Sequence, residues 1–365
     1  MAEPGRKVLS AVLIGLLAAS LYTAALLEGR FSSEAVMEQI GEIIEQVQEI
    51  RGLMFKEKPT VIVITRHEAL RMWKPGKADL ERMHREELVY KMTLLLPPDY
   101  QYVKEESGRS AGWIAATSGN TIYVIQENFI GDPDTAKRAM AHELTHVLQK
   151  QWFDARYGSD TFDGSLAAKA LIEGDADLVA DIYCERNGIP IHKIRSLSGE
   201  PLTDLHIFPY VFGDHLVRYL YEKGGWELVN EAYERYPETA LEVMKPELYL
   251  EGFTPASVQL DVPAGVQVLR DDRLGAFYVY VLLRDVAKLG NESAWNVSSA
   301  WLGDRLVLTT NGTVYVLLWK VEFSNENASK TFGETLSRLA EGNTYANYTI
   351  RIDGSSVLLI AERRE

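Results

Sequence analysis

The stretch AKRAMAHELTHVLQKQWF, Ala136 to Phe153, holds His142 and His146 four residues apart with Glu143 beside the first. Its residues favour a helix throughout, and in a helix side chains four apart stack on one face. Both imidazoles can then reach one cation, at about 2.0 to 2.1 Å for zinc. A pattern this short arises by accident in roughly one chain of this length in a hundred. What decides is a third ligand, because a catalytic zinc takes three protein ligands and leaves one position open.

The segment LIEGDAD supplies the best candidate. Glu173, Asp175, Asp177 and Asp181 form a carboxylate set in which Glu173, Asp177 and Asp181 share one helical face at four-residue steps. Like charges stacked in this way repel, while the neighbours Leu171, Ile172, Ala176, Leu178 and Val179 are those of a partly buried helix. A cation and its histidine ligands nearby would remove the repulsion. Glu173 would bind the metal and Asp177 would accept the free N–H of a ligating imidazole. Glu143, placed beside the ligands, suits a general base that takes a proton from water whose pKa zinc lowers.

The rest of the composition narrows the class. The chain has 365 residues, 46% of them hydrophobic, with no repeat and no low-complexity tract, so it is globular and long enough for two packed units. A net charge of -14 argues against nucleic acid as a partner, because phosphate binding needs a concentrated basic surface. One cysteine, Cys184, rules out an intramolecular disulfide. It lies among Leu178, Val179, Ile182 and Tyr183 on the buried side of a helix, the setting of a structural cysteine and not of a nucleophile.

Val8 to Leu27, VLSAVLIGLLAASLYTAALL, carries no charge and is long enough as a helix to cross a bilayer. Arg6 and Lys7 precede it and a mixed flank follows, which predicts the N-terminus inside and the remaining chain outside the cell membrane. The alternative is a cleaved signal and a secreted protein, but the run exceeds a usual signal core and no clear cleavage site follows. Asn291, Asn296, Asn311, Asn327 and Asn347 each begin a glycosylation acceptor pattern, and none occurs earlier in the chain. That clustering suggests a sugar-bearing C-terminal region outside the cell.

An α+β protein in three parts is expected: an anchor over residues 1–30, the HELTH-bearing unit over 31–252, and a C-terminal unit over 253–365. Val36, Ile40, Ile43, Val47, Ile50 and Met54 are spaced for an amphipathic helix. PTVIVITR reads as a buried strand, and GWIAATSGNTIYVIQ as a hairpin turning at Gly119-Asn120 whose edge strand leads to the HELTH helix. Asp134 or Thr135 is the expected cap of that helix. Further helices are expected from near Ser165 to Gly188, from about Pro209 to Gly224-Gly225, and from there to Pro237. Gly252 to Gly265 reads as a boundary loop. Helix, hairpin, helix, hairpin then follow, the turns falling at Asn311-Gly312 and Asp353-Gly354.

Taken together, AHELTHVLQKQWF, AAKALIEGDADLVADIY and FPYVFGDHLVRYLYEKGGWELVNEAY resemble the gluzincin metallopeptidases, and more closely the peptidase MA-like proteins, over roughly residues 51–250. The resemblance implies a thermolysin-like architecture, a small sheet with helices above the HELTH helix and a helical part below. It also implies zinc at His142, His146 and Glu173, Glu143 as general base, and Asp177 supporting a ligand. Such proteins generally stabilise the oxyanion with a Tyr or His from the next helix, which makes Tyr210 the candidate and His206 and His215 its rivals. Gly213 matches a glycine of the same helix. Where related chains read His-Pro-Glu, this one has Lys245-Pro246-Glu247, so that histidine has no counterpart. His67, His84 and His192 match no motif.

The expected function is a membrane-anchored, outward-facing zinc metallopeptidase acting on a peptide or protein substrate. The alternative is a non-catalytic, metal-stabilised surface or envelope module, and intact Glu143 argues against it, because a structural site needs no base.

Overall fold

A computed structural model describes residues 40–108 and 115–364 of the chain. The apolar run Val8–Leu27 lies outside them, and among the described residues no helix is long and apolar enough to cross a membrane.

The first helix, α1 (40–51), buries Ile40, Ile43, Val47 and Ile50 at the expected three-four spacing, while Met54 falls past its end and is exposed. There follow β1 (Thr60–Ile64), α2 (Arg66–Met72), α3 (Lys77–Met92), α4 (Tyr102–Gly108), β2 (Ala115–Ser118), β3 (Thr121–Ile125) and α5 (Gln126–Gly131). Strand order is β1-β3-β2, with β1 parallel to β3 and β2 antiparallel to it. Two expectations change here. β1 is not a buried strand but an edge, with Thr60 and Ile62 exposed. The strand that feeds the HELTH helix, β3, is the central one, and β2 is the edge. A parallel pair needs a long crossover, and α2 to α4 provide it.

The helical layer consists of α6 (Pro133–Phe153), α7 (Phe162–Asn187), α8 (Pro201–Ala232), α9 (Ala240–Met244) and α10 (Pro246–Glu251). Pro133 opens α6, where its missing N–H costs nothing, and the cap is Asp132, whose carboxylate accepts from Thr135 N at 3.2 Å. The expected cap at Asp134 or Thr135 is therefore displaced towards the N-terminus. Thr161 caps α7 and Gly188, at φ 64°, ends it as expected. α8 begins eight residues before Pro209, which lies buried inside it, and is broken as expected at Gly224 and Gly225, whose non-helical backbone makes a kink between two helical parts. A proline inside a helix costs about 3 kcal/mol. The long packed seam between α7 and α8 outweighs that cost.

After the loop 253–266 come β4 (Gln267–Asp272), α11 (Gly275–Val281) with a π-helical continuation Leu282–Val286, α12 (Asn291–Ser299), β5 (Trp301–Thr310), β6 (Val314–Phe323), α13 (Glu326–Ala340), β7 (Asn347–Asp353) and β8 (Ser356–Arg364). Both expected hairpins are present, and β4 joins them in an antiparallel sheet of order β4-β5-β6-β8-β7. The first of the expected C-terminal helices, α11, widens into the π-helical stretch, and α12 is an additional helix.

Two cores divide the molecule, and their border is not the loop after Gly252. One runs from Val89 through α7, α8 and α11 into the C-terminal sheet as far as Ala361. The other gathers α1, β3, α6 and the last turns of α7, from Val179 to Cys184. α7 belongs to both, so the carboxylate segment lies where the two cores meet. Cys184 is buried there, and burial pushes its thiol up to about 11, away from nucleophile chemistry.

Candidate metal centre

α6 and α7 cross with HELTH facing EGDAD. Met140, Ala141, Leu144, Val147 and Leu148 anchor α6 in the core, which fixes the rotation of the helix and sends His142 and His146 towards α7. On α7, Gly174 and Gly213 of α8 allow a backbone approach in which a Cβ at position 174 would lie 2.1 Å from the Gly213 carbonyl oxygen. Glu173 precedes that contact.

His142 Nε2 lies 3.0 Å from His146 Nε2 and 3.1 Å from Glu173 Oε2, and His146 Nε2 lies 3.5 Å from the same oxygen. Three ligands of a tetrahedral ion with bonds of about 2.05 Å stand roughly 3.3 Å apart, so the donor set fits such an ion. These three residues can hold a metal ion, as the two sequence motifs together predict.

The outer nitrogens are held as well. His142 Nδ1 is 3.1 Å from Asp177 Oδ1, and the same oxygen accepts from Arg138 at 2.8 Å. His146 Nδ1 is 2.8 Å from Gln149 Oε1. The Gln149 amide nitrogen donates to Ile172 O and to Asp175 Oδ2. Each ring thus gives its Nδ1 proton to a side chain that is itself fixed, leaving the Nε2 lone pairs facing Glu173. Asp177 takes the expected place behind a ligand; Gln149, its counterpart behind His146, was not anticipated from the sequence. Burial alone would lower both imidazolium pKa values. For His142 the bonds to Asp177 and Glu173 outweigh it and bring the group to about 10, and Glu173 raises His146 as well. Burial opposes the charge on Glu173, yet His146 and His142 pull its carboxyl far below the usual range. The centre favours positive charge among its three donors.

The carboxylate stack is relieved by more than the metal site. Arg138 is buried and also binds Asp181 at 2.8 Å; Asp181 further meets Lys193 at 2.6 Å and pairs with Arg218. Asp175, on the other side of α7, binds Arg51 at 2.8 Å with both side chains fully buried, and accepts from Tyr233 Oη at 2.7 Å. Nothing in the spacing of EGDAD identifies these partners, which come from 37 and 124 residues away for Arg218 and Arg51.

Glu143 is partly exposed at the opening of the site, and Thr117 on β2 donates to its Oε2 at 2.7 Å and to its backbone carbonyl at 3.1 Å. Tyr210 stacks near His142, with ring centroids 6.5 Å apart, beside the Glu173 carboxylate. Burial first, then Glu173, raises its phenol well above the ordinary value, so it stays a donor. Tyr157 was not singled out from the sequence, yet its hydroxyl lies 3.0 Å from His146 Nδ1 and its ring is 42% exposed. His206 lines a cavity of about 530 Å³ between α3, α4, α7, α8 and β4, and His215 is exposed on α8. Lys169 and Pro209 line the same cavity, one helical turn before Glu173 and next to Tyr210 in sequence. Asn291, Asn296, Asn311, Asn327 and Asn347 are all exposed.

Fold and site define a mixed α+β protein with a His-His-Glu centre, its histidines buried and its glutamate partly so, capable of holding a metal. The eCIS core domain matches residues 102–152, a stretch that contains α6 except its last residue, and both histidines. A domain of unknown function, DUF8575, matches residues 266–361, the C-terminal sheet and its helices. No curated protein and no solved structure is similar enough to count as a match.

Proposed function

We propose that this chain is a zinc metallopeptidase, held in the cell membrane by Val8–Leu27 with its folded part outside and an exposed, sugar-bearing C-terminal region. The observation that carries the reading is the pairing of a fixed base with a fixed ligand set. Glu143 is held by Thr117, and both ligand histidines are held through Nδ1. Two imidazoles and one carboxylate form the donor set of a hydrolytic zinc centre, and the nitrogen ligands exclude magnesium or calcium as the preferred ion.

Zinc held by His142, His146 and Glu173 would supply a water of lowered pKa and an electrophile for the carbonyl oxygen. The Glu143 carboxylate accepts the proton of the attacking water and delivers it to the leaving amine. The Thr117 hydroxyl keeps that carboxylate aimed into the cleft. Tyr210 donates to the carbonyl oxygen as it gains negative charge. As the edge of its sheet, β2 offers backbone partners to an extended peptide laid beside Glu143. The 530 Å³ cavity lined by Lys169, His206 and Pro209 is large enough for a substrate side chain.

Zinc-loaded wild type and Glu143→Gln are to be compared on a peptide library by mass spectrometry. The wild type is expected to cleave, and the variant to retain zinc with activity lowered about 10²- to 10⁴-fold. Equal cleavage by the two proteins, or none by either, would overturn the reading.

A further inference from the structure

We propose that α2 and the turn after it form a second membrane contact, a surface that lies on the headgroups of an anionic bilayer. Surface helices of soluble proteins turn their apolar side inward, yet α2 buries only Ala69. Its apolar residues are left partly uncovered: Leu70 is 45% exposed and Met72 49%, and Trp73, which packs edge-on against Tyr123 with ring centroids 5.3 Å apart, still keeps 37% of its surface open, with Ile62 of β1 and Leu80 of α3 also exposed nearby in the chain. The other large exposed apolar residues are scattered singly, apart from Met54 and Trp152, which are bonded to each other.

Charge follows the same segment. Residues 66–77 hold Arg66, Arg71, Lys74 and Lys77, all exposed, against one carboxylate, Glu68, in a protein whose net charge is -14. That carboxylate is turned back onto the Thr65 cap, which lowers its pKa and occupies it. A tryptophan among exposed apolar side chains, framed by arginine and lysine, suits the boundary between acyl chains and anionic headgroups. Nucleic acid would use the cations and leave the apolar residues in water.

The bilayer is within reach. Twelve residues separate Leu27 from Ile40, the first described residue of α1, and can span at most about 40 Å. The inference rests on Val8–Leu27 being an anchor, and it adds that the folded part is laid down on the membrane and not merely tethered to it. Docking through α2 presses the β1 edge of the small sheet towards lipid, leaving β2, at the other edge, to the substrate.

The test uses the full chain reconstituted in vesicles of phosphatidylcholine alone, or with one quarter phosphatidylglycerol, followed by flotation and amide hydrogen exchange. The chain floats with both. Amides of 66–77 exchange about tenfold more slowly in the anionic vesicles, and high salt removes the difference. Arg71→Glu/Lys74→Glu floats equally, keeps its metal content and loses the protection. Trp73→Ser weakens the protection in both lipids. Flotation without protection overturns the docking and leaves the anchor standing, whereas failure to float overturns both. Protection that depends on protein density and not on lipid charge would assign the face to a second copy of the chain and overturn the proposal.

Discussion

Gly174 and Gly213 bring α7 and α8 into backbone contact one residue past Glu173, and a Cβ on Gly213 would lie 2.2 Å from the Ala170 carbonyl oxygen. This contact sets the distance between Glu173 and the helix that carries Tyr210. Gly213→Ala gains about 0.5 to 1 kcal/mol of helix propensity and forces the helices apart. The overpacking cost of roughly 1 to 3 kcal/mol or more prevails, so the variant should be less stable and bind metal more weakly. Urea midpoints and metal content measure both, and a midpoint equal to or above wild type would refute the role given to the contact.

Asp177 positions the first ligand. Asp177→Asn keeps the volume but removes the charge that His142 and Arg138 share, so zinc affinity should fall about 10- to 100-fold with little change in fold. Competition with a chelator of known affinity reads this directly; an unchanged affinity would show that Asp177 serves Arg138 alone.

Arg51 and Asp175 form a fully buried ion pair behind the centre. Arg51→Met leaves a buried carboxylate supported only by Tyr233 and Gln149, and should cost about 3 to 5 kcal/mol. Arg51→Met/Asp175→Asn, which removes both charges, should recover much of that loss. Denaturant unfolding of the two variants decides the point, and equal stability of single and double variants would contradict it.

Stability should also depend on pH through Asp285. It is buried and neither of its oxygens receives a hydrogen bond; burial, with the Asp204 carboxylate adding and Arg284 opposing, pushes its carboxyl up to about 7. In the unfolded chain the group titrates near about 3.9. Between these values the folded protein binds more protons than the unfolded one. The contribution is therefore complete below about 4 and is lost as pH rises through about 7. Asp285→Asn removes the titration, so its stability relative to wild type should rise from pH 4 to pH 8. Parallel stability curves would contradict the assignment.

HELTH and EGDAD were legible because each ligand spacing is a local helical repeat, and local repeats survive folding. The C-terminal end of α7 and both C-terminal hairpins were legible for a related reason: Gly188, Asn311-Gly312 and Asp353-Gly354 act within a few residues of themselves. What stayed hidden is non-local. The parallel pairing of β1 with β3 leaves no mark in either strand, and the core shared across the loop 253–266 depends on contacts between distant segments. Arg51 and Arg138 read as ordinary cations until the fold buries them against Asp175 and Asp177. Pro209 misled for the opposite reason, a strong local signal overridden by the packing of α8 on α7.

The central claim, a zinc centre built from His142, His146 and Glu173, is tested most directly by metal analysis of the purified chain beside His146→Ala. Close to one zinc per chain is expected in the wild type and almost none in the variant. Wild-type protein that retains no zinc after incubation with the ion, or a His146→Ala variant that holds as much, would contradict it.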